Sequence, residues 1–160
     1  MAWAAWHADS VRTEHLEIIV GRRSSDHVLI RVVGRMFPEV GDYWDGNWLT
    51  SPITARLRGF TADLDAALRG DELRSFREQL QCVHRKICGR AELVSTEEWI
   101  ALNVLCERNG HLTVGGELGD GSATRNKLLF SLPGLDQTDL PPLIDALLAV
   151  EQRFPVVGRL

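Results

Sequence analysis

The sequence has little basic charge and no long apolar run. Its 18 lysine and arginine residues are outnumbered by 22 aspartate and glutamate residues, which gives a formal net charge of −4. Proteins that bind nucleic acid usually carry a basic stripe, so this balance argues against that class of partner. No stretch approaches the roughly 20 apolar residues that a membrane-spanning helix requires. We therefore expect neither a nucleic-acid partner nor a membrane partner.

Cysteine is also scarce. The three cysteines, Cys82, Cys88 and Cys106, are odd in number and irregular in spacing. A secreted domain held together by disulfides usually shows an even number of cysteines in a regular framework. The amino-terminal residues lack the basic start and apolar run of a secretory signal. We therefore expect a cytoplasmic protein.

Motifs that carry chemistry are missing as well. Gly115 and Gly116 are not followed by the lysine and hydroxyl residue of a phosphate-binding loop, and no serine lies on a glycine-flanked elbow. His84 and Cys88 could share one face of a helix, but Cys82 points elsewhere and a structural zinc site needs four ligands. The sequence predicts no enzyme activity and no catalytic, cofactor or metal site.

What the sequence does contain is the composition of a globular protein. Hydrophobic residues make up 44% and charged residues 25% of its 160 residues. This length fits one domain with a single core. Residues 1–15 form the expected amino-terminal arm, since their first 13 positions show no regular period, and this arm either docks on the domain or frays. Residues 16–160 are predicted to form a single α+β domain.

Alternating and β-branched segments predict about six to seven strands in a mainly antiparallel sheet. The segments 16–20 and 28–33 flank a polar turn and predict a hairpin. From Ile53 the apolar positions alternate, but their parity changes at Gly59, which we interpret as a bulge within one long strand. Asn109-Gly110 predicts a two-residue hairpin turn. Further strands are predicted at 91–94, 98–106, 111–118 and 126–132.

Two segments show helical periodicity. A mid-chain helix is predicted to begin at the N-cap Asp71 and to end at Gly89, with Arg77 exposed. A carboxy-terminal helix is predicted after the N-cap Asp139, with two prolines in its first turn. The strands come in two blocks that are each followed by a helix, which favours an α+β fold. The mid-chain helix buries one predicted stripe of Leu73, Phe76, Leu80, Val83 and Ile87.

The segment 41–49 concentrates aromatic and acidic residues. Aromatic side chains on a rigid loop can form a protein-binding hot spot, and aromatic side chains can equally fill a core. Both interpretations stay open for Tyr43 and Trp44. The other residues of the segment are better explained by a structural role, in which polar side chains hydrogen-bond the backbone of the turn and Trp48 and Leu49 begin a strand. We assign this structural role to Asp42, Asp45, Gly46, Asn47, Trp48 and Leu49.

Four acidic residues are predicted to point outward from strands and turns. Asp63 and Asp65 share one face of a strand, and Glu117 and Asp120 lie near a hairpin turn. Paired carboxylates serve glycosidases when they lie across a cleft, but no sugar-stacking aromatic residues accompany these acids. Solvated strand faces explain them better, because perturbed carboxylates only sometimes mark a site.

Residues 42–49, read as D-Y-W-D-G-N-W-L, resemble the D-Y-x-D-G-N-W-L signature of the WapI-like immunity proteins, a family of small bacterial proteins. The resemblance covers residues 16–154 and leaves the amino-terminal arm outside. Trp44 in the variable position and the consecutive prolines at 141–142 depart from the pattern without breaking it. The other matching features are Gly59-Phe60, Phe76, Leu80, Gly89 to Leu93, Gly110-His111, Asn126 to Leu128 and Leu135 to Pro141.

The resemblance implies an intracellular protein that neutralises the toxic domain of a secreted, contact-dependent toxin, often a nuclease. An acidic or aromatic surface would cover a basic cleft, with complementary charge speeding the encounter and buried aromatics carrying the affinity. A small-ligand or regulatory binding domain and a structural homo-oligomer, most simply a twofold dimer, stay open as alternatives. The candidate contacts with a partner protein are Tyr43, Trp44, Asp63, Asp65, Glu117 and Asp120.

Overall fold

The computed structural model of this protein describes residues 16–121 and 123–160. Over these two ranges the chain forms eleven strands and two α-helices, which confirms the predicted α+β class with mainly antiparallel strands, one mid-chain helix and one carboxy-terminal helix. The predicted arm at 1–15 lies outside the described residues. The strands are β1 (Leu16–Gly21), β2 (His27–Val32), β3 (Gly34–Arg35), β4 (Trp48–Thr50), β5 (Ile53–Arg56), β6 (Thr61–Leu64), β7 (Ala67–Arg69), β8 (Gly89–Val94), β9 (Ile100–Cys106), β10 (His111–Gly119) and β11 (Lys127–Asp136), and the helices are α1 (Gly70–Lys86) and α2 (Leu140–Arg153).

The strands form three antiparallel sheets. The first sheet has the order β1-β2-β5-β6, the second has the order β11-β10-β9-β8, and the third, with short strands, has the order β3-β4-β7. The predicted hairpin of β1 and β2 is confirmed, with Ile18 opposite Ile30. The short strands of the third sheet, which no periodicity marks, account for much of the difference from the predicted six to seven strands.

The parity change at Gly59 is a tight turn and not a bulge. The backbone N–H of Leu57 donates to the carbonyl of Phe60 (2.8 Å), and the N–H of Phe60 donates back to Leu57 (3.3 Å). The turn joins β5 to β6, with Ile53 opposite Leu64. Two residues that pair across the strands point to the same side of the sheet. Odd-numbered residues of β5 therefore share a side with even-numbered residues of β6. The prediction of one bulged strand was therefore wrong, although the change of parity was real.

The turn between β9 and β10 is one residue longer than predicted. Gly110 donates its N–H to the carbonyl of Glu107 (2.8 Å), and Glu107 donates to the carbonyl of His111 (2.9 Å). Gly110 adopts a left-handed φ of +84° whereas Asn109 does not. The Asn109 side chain instead accepts the N–H of His111 (2.9 Å). The left-handed glycine was anticipated, but the two-residue turn was wrong.

Helix α1 buries Leu73, Phe76, Leu80 and Val83 as predicted. Ile87 was expected in the same stripe but is 41% exposed, because it adopts the left-handed conformation that ends the helix. Arg77 was expected in solvent, yet its side chain is 11% exposed and its Nε donates to Glu151 on α2 (2.6 Å). The apolar stripe alone shows neither where the helix ends nor that Arg77 pairs with the second helix.

The hydrophobic core takes residues from all three sheets and from both helices. Helix α1 packs against β8 and α2, and α2 packs against β1. Helix α2 begins after the N-cap Asp139, as predicted. None of the described helices is both long enough and apolar enough to cross a bilayer.

Candidate functional site

The segment 41–49 folds into a compact loop that leads into β4. The Asp42 carboxylate accepts the backbone N–H groups of Trp44 (2.8 Å) and Asp45 (2.9 Å). Gly46 donates its N–H to the Asp42 carbonyl (3.1 Å). A Cβ on Gly46 would lie 2.5 Å from the carbonyl oxygen of Val40, so a larger residue does not fit. Asp42 and Gly46 therefore determine the shape of the loop.

Asn47 joins this loop to the carboxy-terminal segment, residues 154–158. Its side chain is 1% exposed. The Nδ2 atom donates to the carbonyls of Tyr43 (2.8 Å) and Val157 (2.9 Å), and Oδ1 accepts the N–H of Val157 (2.9 Å). Gly158, with φ +73°, lies so close to the loop that a Cβ would be 2.3 Å from the backbone nitrogen of Tyr43. The amide of Asn47 thus bonds two backbone segments, one four residues before it in the chain and the other 110 residues after it.

Arg69, the last residue of β7, lies under the loop. It is 5% exposed and pairs with Trp48 across the third sheet. Its Nη2 donates to the carbonyl of Tyr43 (2.8 Å), and its Nη1 donates to the carbonyl of Trp44. Its Nε donates to the Asp71 carboxylate (3.0 Å). A single guanidinium therefore holds two consecutive loop carbonyls and one acid.

Three aromatic rings surround this guanidinium. Its central carbon lies 5.2 Å from the ring centroid of Tyr43, 5.8 Å from that of Trp44 and 5.3 Å from that of Trp48. These distances fit cation–π contact. The sequence analysis missed Arg69 because Tyr43 and Trp44 precede it by 26 and 25 residues, and no spacing rule connects them.

The start of α1 completes the support of the loop. The N-cap position is Arg69 and not Asp71, so that prediction was wrong. The Glu72 carboxylate accepts the N–H of Arg69 (3.1 Å), while Asp71 accepts the hydroxyl of Tyr43 (3.0 Å). Acids in a first helical turn are favourable, because the helix dipole is positive there. The third sheet, the loop and α1 are thereby tied together.

Trp44 is the exposed residue of this assembly. Its relative exposure is 65%, whereas Tyr43 is partly buried. Its backbone is held on both sides, by Asp42 at the N–H and by Arg69 at the carbonyl. Its ring meets the Tyr43 ring edge-on, with centroids 5.4 Å apart. An exposed aromatic side chain on a fixed backbone loses little entropy on binding, which suits a protein-binding hot spot.

The structure places Asp63 on β6 of the first sheet and Asp65 in the connection from β6 to β7. Asp63 on β6 forms an exposed ion pair with Arg56 on β5 (3.1 Å). Asp65 is exposed just beyond the end of β6. Within the described ranges, no hydrogen bond or ion pair connects these two acids to Tyr43 or Trp44.

Glu117 and Asp120 lie at the hairpin of β10 and β11 in the second sheet. Glu117 pairs with Lys127 on the neighbouring strand (2.9 Å). Asp120 accepts hydrogen bonds from the Thr124 hydroxyl and from the backbone and side chain of Asn126. The hydrogen bonds from Thr124 and Asn126 lower the pKa of Asp120. Both acids thus have partners within the hairpin.

Within the part of the chain that the structure describes, the three cysteines have no partners for a metal centre. Over 16–121 and 123–160, no group of three or more histidine, cysteine, aspartate or glutamate side chains is placed to hold a metal ion. Cys82 and Cys88 are partly buried, and Cys106 is buried. Burial is the main cause that raises the pKa of the Cys106 thiol, which disfavours its reactive thiolate form.

Comparison with known proteins gives a family match. The chain matches the family model described as immunity protein WapI-like over residues 18–155, a range that contains the 41–49 loop and Arg69. No curated protein and no solved structure matches the chain.

Proposed function

The chain belongs to the immunity protein WapI-like family, and from this premise we propose that it protects its host by binding the toxic domain of a cognate bacterial toxin. One structural observation supports a binding role most directly. Trp44 is 65% exposed, yet its backbone is held by the Asp42 carboxylate and the Arg69 guanidinium. A fixed, exposed tryptophan is the type of residue that dominates the affinity of protein interfaces.

The proposed mechanism is occlusion in the cytoplasm, without catalysis. Tyr43 and Trp44 contact the toxic domain, and the bound protein covers the surface on which that domain acts. Of the other candidate contacts, Asp63 on β6 and Asp65 just beyond it face solvent. Glu117 and Asp120 border the β10–β11 hairpin. Complementary charge at such positions speeds encounter more than it strengthens the final complex.

We further propose that residues 16–160 act as one domain. The support is the continuous hydrophobic core, to which all three sheets and both helices contribute. Arg69 and Asn47 connect the 41–49 loop to this core and to the carboxy-terminal segment. The contact loop is then presented by a rigid body.

The test is co-expression with a toxin-like domain encoded immediately upstream of this chain, if one is there. The wild-type chain should restore growth and should co-elute with that domain from a sizing column. Trp44→Ala should weaken the complex about 30-fold or more, as expected for a hot-spot residue. Phe60→Ala is the matched control, because Phe60 is 66% exposed at the β5–β6 turn.

Growth arrest that the wild-type chain does not relieve, together with separate elution of the two proteins, would contradict the proposal. A Trp44→Ala variant that binds as tightly as the Phe60→Ala control and the wild type would remove Trp44 from the contact surface. Sizing of the chain alone also shows whether it forms a twofold dimer.

A further inference from the structure

We infer that the partner docks on one acidic face that runs from Trp44 to Trp99, and that the partner presents a basic surface to it. The inference rests on the proposed function, since it names the chemistry of the partner of the same loop. The acids of this face are distant in the chain, and the tertiary structure brings them together.

Hydrogen bonds make this face continuous. The Tyr43 hydroxyl donates to Asp71 (3.0 Å), which connects the 41–49 loop to the first turn of α1. The next residue, Glu72, accepts the backbone N–H of Thr96 (2.8 Å), which connects α1 to the turn between β8 and β9. That turn leads directly to Trp99. Segments separated by more than 20 residues in the chain thus form one surface.

Two depressions lie along this face. One has a volume of about 380 Å³ and the other about 340 Å³. The described residues that line them include five carboxylates and neither lysine nor arginine. The first is lined by Asp71, Glu72, Ser75, Gln79, Glu92 and Val94, and the second by Thr96, Glu97, Glu98, Trp99 and Gly121.

Much of the negative charge on this face is not neutralised by the protein itself. Asp71 is paired with Arg69, and Glu92 lies 3.8 Å from the exposed Arg90, a surface pair of little strength. Glu98 lies near Lys127 and helps to raise the pKa of that lysine, so its charge is partly balanced. Glu97 and Asp45 form no ion pair within the described ranges. Uncompensated carboxylates therefore stand at both ends of the face.

Apolar anchors lie between these acids. Trp44 is 65% exposed, and Val94 at the end of β8 is 63% exposed. Exposed apolar groups surrounded by charges of one sign match the apolar centre and polar rim of protein interfaces. A partner that buries these groups must bring positive charge opposite the carboxylates, because unpaired buried carboxylates are costly.

The free edge of β8 does not offer an alternative mode of binding. The Gln79 side chain accepts the N–H of Glu92 (2.9 Å) and donates to its carbonyl (3.2 Å). Gln79 thus occupies the backbone groups of Glu92, in the middle of the edge that an added strand would need. The partner is left to bind this face through side chains.

Charge reversal tests the face. Glu97→Lys and Asp45→Lys alter its two ends, and Asp145→Lys on α2 is the control, because Asp145 is an exposed acid in another depression. We measure the Kd of each folded variant for the toxic domain used in the co-expression test, at low and high salt. Each reversal on the face should weaken binding about tenfold at low salt, mainly through slower association, and the control should not. Salt should reduce the difference.

Tight wild-type binding that neither reversal weakens would overturn the inference and leave the proposed function standing. No binding by the wild-type chain would overturn both. A dimer of the chain alone that Glu97→Lys dissociates would assign the face to self-association and would also overturn the inference.

Discussion

Arg69→Ala tests whether one buried guanidinium organises the Trp44 loop. The substitution removes the donor to the carbonyls of Tyr43 and Trp44 and the cationic partner of Asp71. It also empties the space between three aromatic rings. The expected consequences are lower stability and a poorly defined contact loop.

The magnitude follows from what each partner retains. Removal of one member of a buried ion pair costs about 3–5 kcal/mol, and each buried group left without a partner costs about 1–3 kcal/mol. The Tyr43 carbonyl keeps its hydrogen bond from Asn47 (2.8 Å), and Asp71 keeps the one from the Tyr43 hydroxyl (3.0 Å). The Asp71 side chain is also 20% exposed, so water reaches it. We therefore expect the lower end, a loss of about 3 kcal/mol in the free energy of unfolding.

Urea denaturation followed by circular dichroism measures this loss. Arg69→Lys keeps the charge but lacks the forked donors, so we expect an intermediate loss of about 1–2 kcal/mol. Arg56→Ala removes an exposed ion pair with Asp63 and should stay within about 0.5 kcal/mol of the wild type. An Arg69→Ala variant that loses less than about 1 kcal/mol and still protects against the toxin would refute the reasoning.

Three further predictions concern other parts of the chain. Asn47→Ala leaves partly buried backbone groups of Val157 and a buried site without their hydrogen-bond partner, so urea denaturation should show a loss of about 2 kcal/mol. A Cβ at Gly116 would lie 1.9 Å from a carbonyl oxygen of the neighbouring strand, so Gly116→Ala should cost about 3 kcal/mol or fail to fold, whereas Gly34→Ala, with open space around it, should melt like the wild type. The hydrogen bond from Arg22 is the main cause that lowers the pKa of Asp139, so the ion pair contributes stability above the unfolded pKa of about 3.9 and loses it as pH falls through the lowered pKa. Thermal melts of Asp139→Asn should therefore lie below the wild type at pH 7, and the difference should shrink as pH falls below about 3.9. A difference that does not shrink in acid would contradict this account.

Local patterns predicted the elements whose burial is periodic. The α1 stripe, the β1–β2 hairpin and the strand β9 have one face on the core, so their apolar residues repeat at the helical or strand period. Motif resemblance, in addition, indicated the family that the match over residues 18–155 then showed. The interpretation of the parity change at Gly59 was wrong because a bulge and a two-residue turn shift the parity by the same single residue.

Only the tertiary structure decided what surrounds Trp44. Arg69 is one of many charged residues in the sequence, and its burial depends on a sheet that brings β7 beside β4. Asp71 connects the aromatic loop to the first turn of α1, because it accepts the Tyr43 hydroxyl. Glu72 connects that turn to the β8–β9 turn, because it accepts the N–H of Thr96. Periodicity reports the environment of one segment at a time, whereas these contacts depend on the relative placement of distant segments. The sequence by itself therefore determined the class of fold and the residues of the loop, and the packing of the three sheets and α1 decided which face that loop presents.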